Sequence, residues 1–379
     1  RALHRYGDSQ IGYVFTFADK PVLSRHAQVH ALDLRSDINE NVQLTGQVLT
    51  SIVNDNNSST RGRGAWLGLS HKLSETWQQS ASLTYYDDEL LVNDIGFLSR
   101  NDLFNFSYNN ENTWADYDEN DPLLKRTFGF ALNSEFNTDD DHLGTTLAIN
   151  GEDSFKDTAF VFWSLRYYSQ AEDDRITRGN SIVSLDQGIR GFAEYNWGNQ
   201  GRFRHHAAIV LLDRDNEGKG YEAHYHPSYY FTDDYRISWS LWTTNTQDKL
   251  IWQDGSLNRY DYRSINNGID FDATISYNQE LRVRFEWVAY RGENGIATSH
   301  DANGNLSNTS NNVNDISRST TRFQIRYRYE IAPLSNIYLV YSRGGSATDL
   351  DEENNWRTFS DAWDNRTADN FVAKIRYRF

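Results

Sequence analysis

Apolar and polar residues alternate one for one over long stretches of this chain. At the C-terminus Phe371, Ala373, Ile375, Tyr377 and Phe379 alternate with Val372, Lys374, Arg376 and Arg378. The rhythm returns in Phe323, Ile325, Tyr327, Tyr329 and Ile331 against Arg322, Gln324, Arg326, Arg328 and Glu330. It returns again in Leu281, Val283, Phe285, Trp287 and Ala289 against Arg282, Arg284 and Glu286. Successive side chains of a strand point to opposite faces, so a period of two predicts strands with one apolar and one polar face. The pattern gives 18 strands: 9–18, 24–34, 42–53, 64–73, 77–87, 100–110, 125–136, 143–153, 158–170, 187–197, 203–213, 220–231, 235–244, 268–277, 281–291, 319–331, 336–343 and 368–379.

The connections decide what kind of sheet this is. Every second one tends to be short, as at 74–76, 232–234, 278–280 and 332–335. The intervening ones tend to be long, as at 54–63, 171–186, 245–267, 292–318 and 344–367, with Asp301 to Asp315 expected as a mobile loop. Strands of about ten residues with short turns on one side and long loops on the other are the pattern of an outer-membrane barrel. The expected fold is therefore all-β: a single transmembrane antiparallel up-and-down β-barrel over 1–379, with 18 strands and both termini periplasmic. The acidic connection 111–124 is long where a short turn is expected, and 137–142 is short where a loop is expected, so 16 strands is the alternative.

Composition agrees with this reading and narrows it. Mean hydropathy is −0.74 and no apolar run approaches the ~20 residues of a membrane-spanning helix. A barrel needs only every second residue apolar. Aromatics make up 14% of the chain, which suits strands and interfacial girdles. Cysteine is absent, which removes thiolate chemistry and disulfides. A net charge of −16 argues against a nucleic-acid partner. Methionine is absent and the chain begins at Arg1, so a processed or truncated chain is expected.

If Phe371, Ile375, Tyr377, Phe323, Ile325, Phe285 and Trp287 face lipid, the alternate residues face the lumen. That places a basic patch inside: Arg282, Arg284, Arg322, Arg326, Arg328, Lys374, Arg376 and Arg378. Glu286, Glu330, Asp270 and Asp272 share the wall as counter-charges, either filling the lumen with ion pairs or leaving an anion-attracting constriction. The acidic stretch Glu111 to Asp121 is a candidate plug for such a constriction. Phe160, Phe162, Tyr168, Trp242 and Tyr290 are candidate lumen aromatics for stacking against sugar rings. His205, His206, His224 and His226 cluster without a recognisable ligand spacing, so neither a metal nor another cofactor is expected. The acidic runs near 87–89, 139–141, 173–174 and 351–353 read as solvated rims. No nucleophile elbow or phosphate loop appears, so no enzymatic activity is expected.

Phe379 closes the last alternating strand and resembles the C-terminal signal by which bacterial outer-membrane barrels are recognised by the assembly machinery. Val92-Asn93-Asp94-Ile95-Gly96-Phe97-Leu98-Ser99-Arg100-Asn101-Asp102, together with Asp173-Asp174-Arg175-Ile176-Thr177-Arg178-Gly179, resembles the C-terminal barrel domain of a bacterial family, domain of unknown function 5916. Members of that family carry an N-terminal domain similar to carbohydrate-binding-module family 9. The resemblance implies an outer-membrane location and a missing N-terminal domain, and it brings no catalytic residues. The expected role is a porin-like conduit for polar solutes such as oligosaccharides, bounded by outer-membrane lipid and lipopolysaccharide. The alternative is a plugged barrel that anchors another domain or an envelope complex.

Overall fold

The computed structural model describes residues 2–56, 58–197, 201–348 and 355–378. Strand follows antiparallel strand almost throughout. In chain order they are β1 (Ala2–Tyr6), β2 (Ser9–Lys20), β3 (Arg25–Asn39), β4 (Val42–Asp55), β5 (Ser58–Lys72), β6 (Trp77–Tyr86), β7 (Leu103–Trp114) and β8 (Leu123–Phe136). Then come β9 (His142–Phe155), β10 (Phe160–Tyr168), β11 (Ala171–Asp173), β12 (Val183–Leu185), β13 (Gly188–Trp197), β14 (Phe203–Arg214) and β15 (Gly218–Thr232). The remainder are β16 (Tyr235–Gln253), β17 (Ser256–Ser276), β18 (Gln279–His300), β19 (Leu306–Asn312), β20 (Ile316–Ala332), β21 (Ser335–Thr348) and β22 (Arg366–Arg376). An α-helix, α1 (Asn355–Asp364), precedes β22.

Each segment expected from alternation coincides with one of these strands. The chain divides into two compact units, one of residues 1–116, 125–151 and 165–173, the other of 117–124, 152–164 and 174–379. In the first, β1 to β8 form an antiparallel meander in which each strand pairs with the next. In the second, β13 to β18 continue in the same way, and β18, β20, β21 and β22 follow in order. Short turns are closed by side chains that can accept from the backbone. Asn39 Oδ1 accepts from the N–H groups of Asn41 and Val42, each at 2.9 Å. Ser74 Oγ accepts from Thr76 and Trp77.

Three expectations need correction. First, 245–267 and 292–318 are not irregular loops: β16, β17 and β18 run on for 19, 21 and 22 residues. The strand β19 also occupies part of the stretch expected as a mobile loop, pairing with the far end of β18. Bulges at 246/249 and 259/261 shift the register and so break the alternation there without ending the strands. Second, Glu111 belongs to β7 and accepts from Gln78 Nε2 at 3.0 Å, so the acidic stretch 111–121 is partly sheet. Third, Phe285, Trp287 and Phe323 do lie on the apolar face, but α1 covers them. The Phe359 ring centroid is 5.9 Å from Phe285 and 5.8 Å from Trp287, and the Trp363 centroid is 6.2 Å from Phe323. A connection of this length can fold back on the wall it leaves, and Gly345 lets it: a Cβ there would lie 1.9 Å from the Ala362 carbonyl oxygen.

Elsewhere the apolar face is open. In the first unit Leu67, Leu83 and Phe128 are each 45% exposed, and in the second Leu211 is 59% exposed. Buried apolar side chains are few. One cluster is Val183, Leu185, Leu250 and Leu257, packed by Ile176, Trp252 and Leu306, and it consolidates the far ends of the long strands.

Candidate functional site

In the first unit the segment after β6 folds back over the polar face of β4 and β5. Leu90 is 1% exposed and rests on a floor without side chains: a Cβ on Gly62 would lie 2.2 Å from its Cα, and one on Gly64 3.0 Å from its Cδ2. The buried Ser51 hydroxyl accepts from Leu91 N–H at 3.0 Å, and Asp87 Oδ2 accepts from Arg63 N–H at 2.7 Å. Asp94 is the clasp. Its carboxylate accepts from Lys20 Nζ at 2.7 Å and from Arg25 Nη2 at 2.8 Å, while Arg25 Nη1 reaches Asp55 at 3.1 Å. The Asp94 side chain is only 8% exposed. Its pKa is held below the usual carboxylate value, first by the Arg25 hydrogen bond and then by Lys20, against desolvation.

The same segment is braced at both ends. Asn93 Oδ1 accepts from Leu98 N–H at 2.6 Å, and Asp102 Oδ1 accepts from the N–H and hydroxyl of Thr138 at 2.8 and 2.6 Å. Residues 92–102 are thus a built structure on the polar face. Residues 174–181 of the second unit are built in the same manner. Thr177 is 1% exposed, its Oγ1 donates to Ser181 O at 2.5 Å and accepts from Ser181 N–H at 3.1 Å, and Ile176 packs into the apolar cluster.

The second unit carries the basic wall. By register, Arg282, Arg284, Arg322, Arg326, Arg328, Lys374 and Arg376 all lie on one face of β18, β20 and β22. Asp272 collects Arg236, Arg284 at 3.0 Å and Arg282 at 3.9 Å. Asp270 holds Arg284 at 3.1 Å, Glu280 and Glu330 hold Arg328 at 2.8 and 3.1 Å, and Glu286 approaches Arg322 at 3.8 Å. Among the described residues Arg326, Lys374 and Arg376 make no ion pair, and Arg326 faces Arg282 directly across the ladder. Arg378 lies just beyond β22, where its N–H donates to Ser335 Oγ. Phe379 lies outside the described residues.

The candidate aromatics do not form one cluster. Phe162 packs on Phe192 at 5.9 Å, Trp242 stacks on His224 at 4.9 Å, and Tyr290 stacks on Tyr262 at 6.0 Å. Phe160 and Tyr168, at the two ends of β10, are half-buried. His206, His224 and His226 share the polar face, with His206 Nε2 3.2 Å from Glu194, whereas His205 points to the other face against Trp197 and Tyr225. Among the described residues no group of three or more His, Cys, Asp or Glu side chains is arranged to hold a metal ion.

A family model described as Domain of unknown function (DUF5916) matches residues 6–379. The chain belongs to this family. No curated protein matches it. Among solved structures, the siderophore receptor PirA from Pseudomonas aeruginosa is similar at 10% identity and a TM-score of 0.51, over 90% of this chain and 71% of that one. A ferric enterobactin receptor (PfeA) mutant from the same organism matches at 9% identity and 0.49, over 89% and 67% of the two chains. The alcaligin outer membrane receptor FauA from Bordetella pertussis matches at 8% and 0.47, over 90% and 61%. These neighbours are outer-membrane receptor barrels. At such identities the likeness to PirA speaks of fold alone, an all-β chain of antiparallel up-and-down strands.

Both segments that carry the family resemblance prove to be built structures. Sequence reading did not assign that role. The available signal was the Arg61-Gly62-Arg63-Gly64 run inside a strand, since glycine there marks a close backbone approach.

Proposed function

We propose that this protein is a closed outer-membrane β-barrel of 18 long strands, with both ends on the periplasmic side, that conducts a polar solute such as an oligosaccharide. The observation that carries this is the open apolar face. Large aliphatic and aromatic side chains stand uncovered on one face of strand after strand in both units, over far more area than a water-soluble surface tolerates. In a bilayer that face is the wall, and the polar face, with its arginines and carboxylates, lines the lumen. An 18-strand barrel of this kind holds water inside. The likeness in fold to PirA, a siderophore receptor, supports an outer-membrane transport role. Catalysis has no part in this reading. The C-terminal strand is the proposed contact for the assembly machinery.

One observation favours a second reading, the plugged anchor. Residues 87–102 are held over the polar face by buried groups and an ion cluster, so that part of the interior is occupied. Conductance separates the two. The purified protein in a planar bilayer gives discrete current steps if it is a conduit. A protein that inserts and carries no current is an anchor.

A further inference from the structure

We propose that the polar face of the second unit carries a binding subsite for one ring of a neutral oligosaccharide, built on Trp242 and the groove beside it. The exposed aromatic side chains of that unit's strands, Tyr229, Phe231, Trp239 and Phe371 among them, stand on the apolar face. Among its described strand residues Trp242, 44% exposed, is the exception. On β16 it shares its side with Ser240 and Thr244, opposite to Trp239 and Leu241. His224 backs the indole, with ring centroids 4.9 Å apart and planes within 26°. That contact fixes the tilt of the indole and leaves the rest of the ring open.

A lone exposed indole is ordinary on a protein surface. This one borders a groove of about 790 Å³, whose lining on the polar face includes Ser240, Asn266, Asp270, Arg284, Glu286 and Arg322. Asn266 is the direct cross-strand partner of Trp242, and Ser240 lies two residues from it on the same face. Gly268 keeps the groove open. It pairs with Ser240 on one side and Glu286 on the other, and a Cβ there would lie 2.5 Å from Ser240 Oγ. The far wall is set by ion pairs, Asp270 with Arg284 at 3.1 Å and Glu286 with Arg322 at 3.8 Å, and all four side chains are at least 37% exposed. The proposal needs none of these pairs to open. Each carboxylate keeps lone pairs, and each guanidinium keeps N–H groups, beyond those its partner uses.

A pyranose ring has a face of C–H groups and a rim of hydroxyls that both donate and accept. The indole suits the C–H face, and the groove offers the rim an amide, a hydroxyl, carboxylates and guanidinium groups. An anionic ligand would meet Asp270 and Glu286, and a cationic one would meet Arg284 and Arg322. A neutral polyol uses both signs without conflict. The inference deepens the conduit reading and rests on the polar face being the lumen wall.

The test is isothermal titration calorimetry of the protein in lauryldimethylamine oxide, a detergent without a sugar headgroup. Maltohexaose, cellohexaose and hexagalacturonate are the separate probes. At least one of the neutral hexasaccharides is expected to bind, and Trp242→Ala should weaken it by about 10-fold, the order expected for a lost stacking surface. Trp242→Phe should keep part of the affinity. Gly268→Thr fills the groove without removing a ring, donor or acceptor and should also weaken binding, an effect that a merely structural role for Trp242 would not produce. Trp239→Phe, on the apolar face, should leave binding unchanged. Failure of both neutral probes to bind, or undiminished binding by Trp242→Ala, overturns the proposal. Tighter binding of hexagalacturonate overturns the neutral sugar as its ligand. Conductance in a planar bilayer is measured alongside. Binding without current sinks the conduit and leaves the subsite standing, while current without binding sinks only the subsite.

Discussion

Asp94 bridges two cations that lie far from it in sequence, and its removal leaves Lys20 and Arg25 facing each other across the space it filled. Hydrogen bonds to charged groups contribute about 1.5–3 kcal/mol each, so Asp94→Asn should release residues 87–101 from β4 and β5 while the strands persist. Hydrogen exchange checks this: amides around Leu91 should lose protection and those of β4 should keep it. The pH dependence follows from the lowered pKa. A carboxyl whose folded pKa is depressed contributes its stability fully above the unfolded value, and that contribution fades as pH falls through the folded one. The clasp should therefore be intact at neutral pH and loosen only in acid, below about pH 4. Gly62→Ala should undo the same docking from the other side. Its Cβ would meet backbone rather than a movable side chain, so proteolysis within 87–101 should speed up while assembly of the sheet is unaffected.

At the scale of elements, α1 matters most, because it converts an open patch of wall into a covered one. Phe359 and Trp363 stack on one another and against Phe285, Trp287 and Phe323, and Trp287, 9% exposed, donates from Nε1 to Ser319 Oγ at 2.9 Å. Truncating a fully buried aromatic costs about 3–5 kcal/mol; these are half-buried, so Phe359→Ala or Trp363→Ala should cost about 2 kcal/mol each. Thermal unfolding in detergent checks the loss, and acrylamide quenching checks its cause: in Phe359→Ala, Trp287 should become accessible. An unchanged quenching curve would mean that α1 does not cover the wall in solution.

Across the whole molecule the question is whether the basic face acts as a field or as a set of satisfied pairs. Arg328 is held by Glu280 and Glu330, whereas Arg326 and Arg376 make no ion pair among the described residues. In a low-dielectric wall around water, unpaired cations attract anions, and loop carboxylates are screened beyond about 8–10 Å at physiological salt. The variant Arg326→Gln, Arg328→Gln, Arg376→Gln should shift the reversal potential in a salt gradient toward cation selectivity, with insertion unchanged. No shift would mean that the wall only satisfies itself.

The 18 expected strands could be placed from residues such as Phe323, Arg326 and Ile325 because a period of two is a local property, whereas the short β1, β11, β12 and β19 carry too little of the pattern and were missed. A period of two needs no knowledge of which strand lies alongside, and it assigns a face to every side chain at once. Where the pattern was interrupted, as at the bulges after Thr246 and Arg259, local reading ended strands that in fact continue, because hydrogen bonding to a neighbour outlasts the alternation. The resemblance through residues 92–102 and 173–179 pointed to the family without saying what those residues do. Their roles depend on contacts such as Asp94 with Lys20 and Arg25, over 74 and 69 positions, which no periodicity encodes. The fate of Trp287 was decided in the same way. Sequence put it on the apolar face, and only the folded chain put α1 over it. Alternation fixes which way a side chain points, while what it meets there is set by segments that return from far along the chain.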